Sequence, residues 1–295
     1  MSKKYLTKVV GEIKSNFETR DNTNDVKFYL NCINEFINSG KKEFSYEFEE
    51  FGMTFTNQYP LNDIINFLFY YKSEKAIISF EENQTQNEFD NLVDAFSWLN
   101  LSFISAQNDE VKQSGEFFQD IVFSCLFAYC FYPSSLKQTL NYLNNYYDQE
   151  SINWSVEDFK NNYGYSDVLQ LLQFILNREG IAYNLKLKEQ ELINSEYDFV
   201  IKNLLDKDEK VFSEIISKLS KFHINNKGKS YLDTFNHDAW KYFPLELIAI
   251  SKFRAKNNLS NTINSDLINK FIPFIDLAKC PSEVTTLDLD SKLIK

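Results

Sequence analysis

Apolar residues recur at intervals of three and four along almost the whole chain, the period of amphipathic helices. Leu6, Val9, Val10, Ile13 and Phe17 share one face. Val26, Leu30, Ile33 and Ile37 repeat it after a polar break that offers Asn24 or Asp25 as a cap, so a helical hairpin is predicted. Over Glu43 to Phe55 two periods compete: Phe44, Tyr46 and Phe48 alternate as in a strand, whereas Phe44, Phe48, Phe51 and Phe55 follow intervals of 4, 3 and 4. The longer register predicts a helix, weakened by Gly52. Pro60 marks the next helix start, and Ile64, Ile65, Leu68, Phe69, Ile77 and Ile78 carry an apolar face as far as Glu82.

From Thr85 onward, Phe89, Leu92, Val93, Phe96, Leu99 and Ile104 predict another long helix. Between Phe117 and Phe131 apolar residues occupy every side, as expected of a helix at the centre of the core. Pro133 opens a further helix, striped by Leu136, Leu140, Leu143 and Tyr147 and followed by polar residues 148–153. Helices are also expected over Trp154–Tyr163, Ser166–Arg178 with Gly180 as the stop, Tyr183–Leu205, Val211–Phe222, Pro244–Asn257 and Asn264–Ile275. The pattern predicts an all-α protein: an irregular bundle, stacked antiparallel helical hairpins or a solenoid-like array without a fixed repeat. Residues 1–275 read as one helical domain, with a subdivision near 148–153 as the alternative, and 276–295 as a surface or frayed tail.

Composition agrees with this class. Seven Gly and five Pro in 295 residues leave little turn chemistry for a many-stranded fold. Four Cys with no CxxC pair read as reduced thiols, and no apolar stretch follows Lys3 and Lys4 before Glu12, so a cytoplasmic protein is expected. The most apolar run, Ile121 to Tyr132, is too short to span a bilayer. Lys and Arg total 31 against 42 Asp and Glu, a net charge of −11 that repels nucleic acid and anionic lipid and favours a basic protein partner.

Candidate chemistry is sparse. Phosphate-cradling glycine loops and a GxSxG elbow are absent from the sequence, which removes the main support for nucleotide enzymes and common hydrolases. Neither His223 nor His237 has ligand-type neighbours at metal-binding spacing, so both are expected to be structural, His223 near a helix C-terminus. Cys32, Cys125 and Cys130 read as small core residues and Cys280 as a more exposed thiol. Asp206-Lys207-Asp208-Glu209-Lys210 superficially resembles a calcium loop but lacks its glycine, so it reads as a helix start. No cofactor, metal site or catalytic residue is expected. The remaining candidates are acidic: Glu43, Glu47, Glu49 and Glu50, interleaved with aromatics, and Glu81 and Glu82, with Glu88 beyond them. Carboxylates beside aromatic anchors suit a surface that recognises a basic protein.

One stretch resembles a known family. From Phe235 the chain reads FNHDAWKYFPLELIAISKFRAKNNLSNTINSDLINKFIPF, in which a proline opens an apolar helix that leads through a basic stretch and a turn to a final amphipathic segment. Pro244, Leu245, Leu247, Ile248, Ala249, Ile250, Leu259 and Ile263 are similar to the C-terminal signature of the Imm49 family of bacterial immunity proteins. The resemblance implies an all-helical cytosolic protein that neutralises a cognate toxin by binding it, without catalytic residues.

The function expected from charge, missing motifs and this resemblance is non-enzymatic: occlusion of the active site of a cognate protein toxin, a basic nuclease being the best fit. The alternatives are a helical scaffold for another protein partner and a metal-dependent hydrolase built on carboxylates alone.

Overall fold

The computed structural model describes residues 2–21, 25–106, 118–153, 167–182, 195–225 and 237–294. The helix expected over 154–163, the first part of that expected over 183–205 and the candidate cap Asn24 lie outside the described residues. Helices α1 (Ser2–Asp21) and α2 (Asp25–Ser39) both lie on α3 (Leu61–Glu82), and it is α3, more than each other, that covers their apolar faces. Helix α3 pairs with α4 (Gln86–Ala106), α4 with α5 (Phe118–Phe131), and α5 with α6 (Leu136–Asn153). A chain of consecutive helices each packed on the next is what short loops dictate. The described residues are 74% helical, with a single two-stranded sheet among them, and the all-α class holds.

The centre is α4 and α5. Every residue from Leu92 to Ala106 and from Ile121 to Phe131 is buried, so α4 shares the central place expected for the apolar run at 117–131. Phe89 lies within about 6 Å, ring to ring, of Phe80, Phe131, Phe243, Phe271 and Phe274. Trp240 is packed against Phe69, Phe96 and Phe123. The aromatic excess of the sequence is therefore largely core.

Local chemistry sets many helix ends. Thr85 accepts from the Glu88 amide at 3.3 Å before α4, the arrangement that a Thr-x-x-Glu start favours. Helix α7 (Asp167–Arg178) stops at Gly180, whose φ of 65° suits glycine. Beyond α8 (Ser195–Asn203), Asp208 accepts from the Lys210 amide at 2.8 Å and caps α9 (Glu209–Asn225). The calcium-like acidic run is thus a helix start, as expected. The short α10 (Asp238–Tyr242) leads into α11 (Leu245–Lys256), which packs on α5.

Three expectations need correction. Residues 43–60 are an antiparallel hairpin, β1 (Glu43–Glu50) and β2 (Met53–Pro60), instead of a helix. Polar residues 148–153 do not form a loop, because α6 continues to Asn153. The helix expected over 264–275 is a run of tight turns, with Phe271 N–H donating to Ile268 and Phe274 N–H to Phe271, closed by a 3-10 turn at Ile275–Leu277. Pro273 lacks the N–H that a continuous helix needs there.

The C-terminal tail lies along the surface but is not frayed. Helix α12 (Val284–Leu293) packs on α4 and α2, with Leu289 and Thr286 fully buried. Asp94 of α4 accepts from the Ser282 and Glu283 amides at 2.6 and 3.0 Å and from the Thr286 hydroxyl at 2.7 Å. Trp98 Nε1 donates to Thr286 at 2.9 Å, and the Tyr132 hydroxyl donates to Asp290. A carboxylate from another helix therefore occupies the positive N-terminal end of α12.

Candidate partner-binding surface

The hairpin places four of the six predicted carboxylates. Side chains alternate across a strand, so Glu43, Ser45, Glu47 and Glu49 share one face with Thr54, Thr56 and Gln58, while Phe44, Tyr46, Phe48 and Glu50 share the other with Met53, Phe55, Asn57 and Tyr59. All four glutamates are exposed. Residues 43–60 contain no Lys or Arg, so the ribbon carries four negative charges uncompensated from within.

Only the base of the aromatic face is covered. Phe44 is buried, and Phe28 of α2 meets Tyr46 and Tyr59 at 4.9 and 5.9 Å. Farther out the rings stack on one another, Tyr46 on Phe48 and Phe48 on Phe55 at 5.5 Å, all within the hairpin. Beyond Tyr46 about 16 Å of ribbon leads to the turn, at roughly 3.3 Å per residue. Its end exposes Phe51, Met53 and Phe55 by 86%, 57% and 37%. None of the three is among the expected contact residues, since the helical register puts Phe51 and Phe55 on one helix face; the alternation Phe44, Tyr46, Phe48 before Gly52 is the available signal.

Glu81 and Glu82 are not part of this surface. They end α3, whose first turn adjoins the base of the hairpin roughly 30 Å of helix away. Glu81 is half-buried and engaged: the Tyr242 hydroxyl donates to it at 2.5 Å and Lys270 also donates. Burial would raise its carboxyl, but the hydrogen bonds from Lys270 and Tyr242 outweigh that and hold it below the usual range. A cleft of about 510 Å³, lined in part by Lys3, Val10, Glu81, Asp266 and Lys270, opens here. Glu82 is exposed beside Lys14 at 3.8 Å. Glu88 is half-buried and lines a separate groove of about 320 Å³ with Leu30, Lys72, Lys75 and Glu283.

Both histidines hold helices together. His223, in the last turn of α9 and fully buried, has Nδ1 2.6 Å from Glu246 and Nε2 2.8 Å from the Lys241 carbonyl. His237 Nε2 lies 2.9 Å from Asp120 and 3.1 Å from the Tyr70 hydroxyl, while Trp240 donates to the other Asp120 oxygen at 3.0 Å. Segment 237–242 thereby ties α3, α5, α9 and α11 together. Cys32, Cys125 and Cys130 are buried core thiols. Burial pushes Cys130 up to about 12. Cys280, expected to be the more exposed thiol, is only partly exposed, and burial, reinforced by Asp94, holds it well above the ordinary range, away from the thiolate.

Among the described residues no group of three or more His, Cys, Asp or Glu is placed to hold a metal ion, and no helix is long and apolar enough to cross a membrane. No protein-family model, no curated protein and no solved structure matches this chain.

Proposed function

We propose that this protein is a bacterial immunity protein that binds a cognate toxin and occludes its active site, acting in the cytoplasm without catalysis of its own. The observation that carries this reading is the ribbon at 43–60: exposed apolar side chains at its end, four exposed carboxylates along it and no cation within it. Exposed charges contribute little affinity but guide encounter, whereas a few desolvated apolar side chains supply most of the binding energy. Such a ribbon suits a partner with a recessed basic site, as a nuclease has, because it offers a rigid projection in place of a polyanion. The resemblance of residues 235–275 to the Imm49 family points the same way. In the fold that stretch is structural: Leu245, Leu247, Ile248, Ala249 and Ile250 are all fully buried. The contact residues accordingly lie elsewhere.

Co-expression with the toxin-like product of the adjacent gene should restore growth, and the two purified proteins should elute as one complex in which the toxin is inactive. Growth arrest unrelieved by co-expression, with no complex, would refute the reading.

A further inference from the structure

The hairpin turn is built from the wrong residue for stability. The pairing of Glu50 with Met53 leaves Phe51 and Gly52 as a two-residue loop, and both have positive φ, 53° and 73°. Positive φ at both positions defines a type I′ turn, whose first position favours Asn, Asp or Gly. A bulky aromatic residue in the left-handed region is a strained choice, and strain of this kind gathers at functional sites. Nothing among the described residues repays it. Phe51 is 86% exposed and makes no ring contact among the described residues, and space around Gly52 is open. The residue is thus unfavourable for the backbone and unfavourable for hydration.

We propose that Phe51 is the anchor of the interface, a ring that plugs an apolar pocket on the toxin whose rim carries Lys or Arg. This deepens the immunity reading and rests on it. The rim chemistry follows from the carboxylates nearest the ring: Glu49 lies on one face of the ribbon and Glu50 on the other, so cations on both sides of the pocket find partners. A second copy of this chain is the wrong occupant, because self-pairing would bring four negative charges against four. Preformed and rigid, a strained tight turn presents its ring with little entropy left to lose on binding.

Substitution Phe51→Asn separates the two roles. Asn-Gly relieves the turn, so the thermal midpoint should rise by about 2 °C. Affinity for the purified product of the adjacent gene, measured by calorimetry, should fall about 30-fold or more, the loss typical of an interface hot spot. Leu277→Asn, which removes another solvent-facing apolar side chain, 65% exposed and far along the sequence, should leave affinity unchanged. Wild-type binding retained by Phe51→Asn would overturn the anchor while the immunity reading stands, and no rise in midpoint would overturn the strain argument behind it. Absence of any wild-type complex would remove the immunity reading and the anchor together. A wild-type dimer that Phe51→Asn converts to monomer in sedimentation would reassign the ring to self-association and overturn the proposal.

Discussion

His223 shows how little freedom a buried titratable group has. Its two ring nitrogens face a Glu246 oxygen and the Lys241 carbonyl, an arrangement that suits an imidazolium donating to both. Burial alone would depress it; the Glu246 charge and hydrogen bond outweigh that and hold it above its ordinary value. At His237 burial is likewise outweighed, by Asp120. A proton held more tightly folded than unfolded stabilises the fold. That contribution is complete below the unfolded value of about 6.5 and is lost as pH rises through the raised folded values. The urea midpoint should therefore decline from about pH 6 toward alkaline pH, and His223→Gln and His237→Gln should each flatten the decline. An unchanged slope in both variants would contradict the assignment. The sequence predicts only that both histidines are structural. It did not disclose Glu246 or Asp120, because partners 23 and 117 residues away are set by packing, not by local pattern.

Among the elements, the N-terminal end of α12 is held by one foreign carboxylate. Asp94 receives two backbone amides and one hydroxyl at the start of this helix, and each buried donor left without an acceptor costs about 1–3 kcal/mol. Asp94→Ala should destabilise the protein by about 3 kcal/mol, and hydrogen exchange should accelerate first in residues 282–294. Val284→Ala, at a position 74% exposed, should change little. Uniform acceleration across the chain would mean that α12 is not a separately held unit. Periodicity missed this helix because Leu289 is the only large side chain it buries completely, too little for an apolar stripe. It mistook the hairpin for the opposite reason: Phe44, Phe48, Phe51 and Phe55 fit helical intervals, yet only Phe44 is buried. The alternating β-branched and aromatic residues from Met53 to Tyr59, with Gly52 at the turn, held the strand signal. Where burial was deep on every side, as in α4 and α5, pattern and structure agree.

For the whole molecule the question is whether its net charge of −11 acts as one field or as separate patches. Glu81 and Glu82 end α3, roughly 30 Å of helix from the base of the hairpin, about three screening lengths at 0.1 M salt, so they add little to the potential at that base. Lys270 already engages Glu81, and Lys14 lies near Glu82. Steering by the hairpin would then fall to its own four carboxylates. Stopped-flow association with the toxin should slow about tenfold or more between low salt and 0.5 M, with dissociation nearly constant. Glu47→Lys combined with Glu49→Lys should reproduce most of that loss at low salt, whereas Glu82→Lys should not. The contrast with the proposed role of Phe51 is specific: removing a carboxylate should change how often the partners meet, and removing the ring should change how long they stay. An association rate indifferent to salt, or equally sensitive to Glu47 and Glu82, would assign recognition to the molecule's overall charge and take it away from the hairpin.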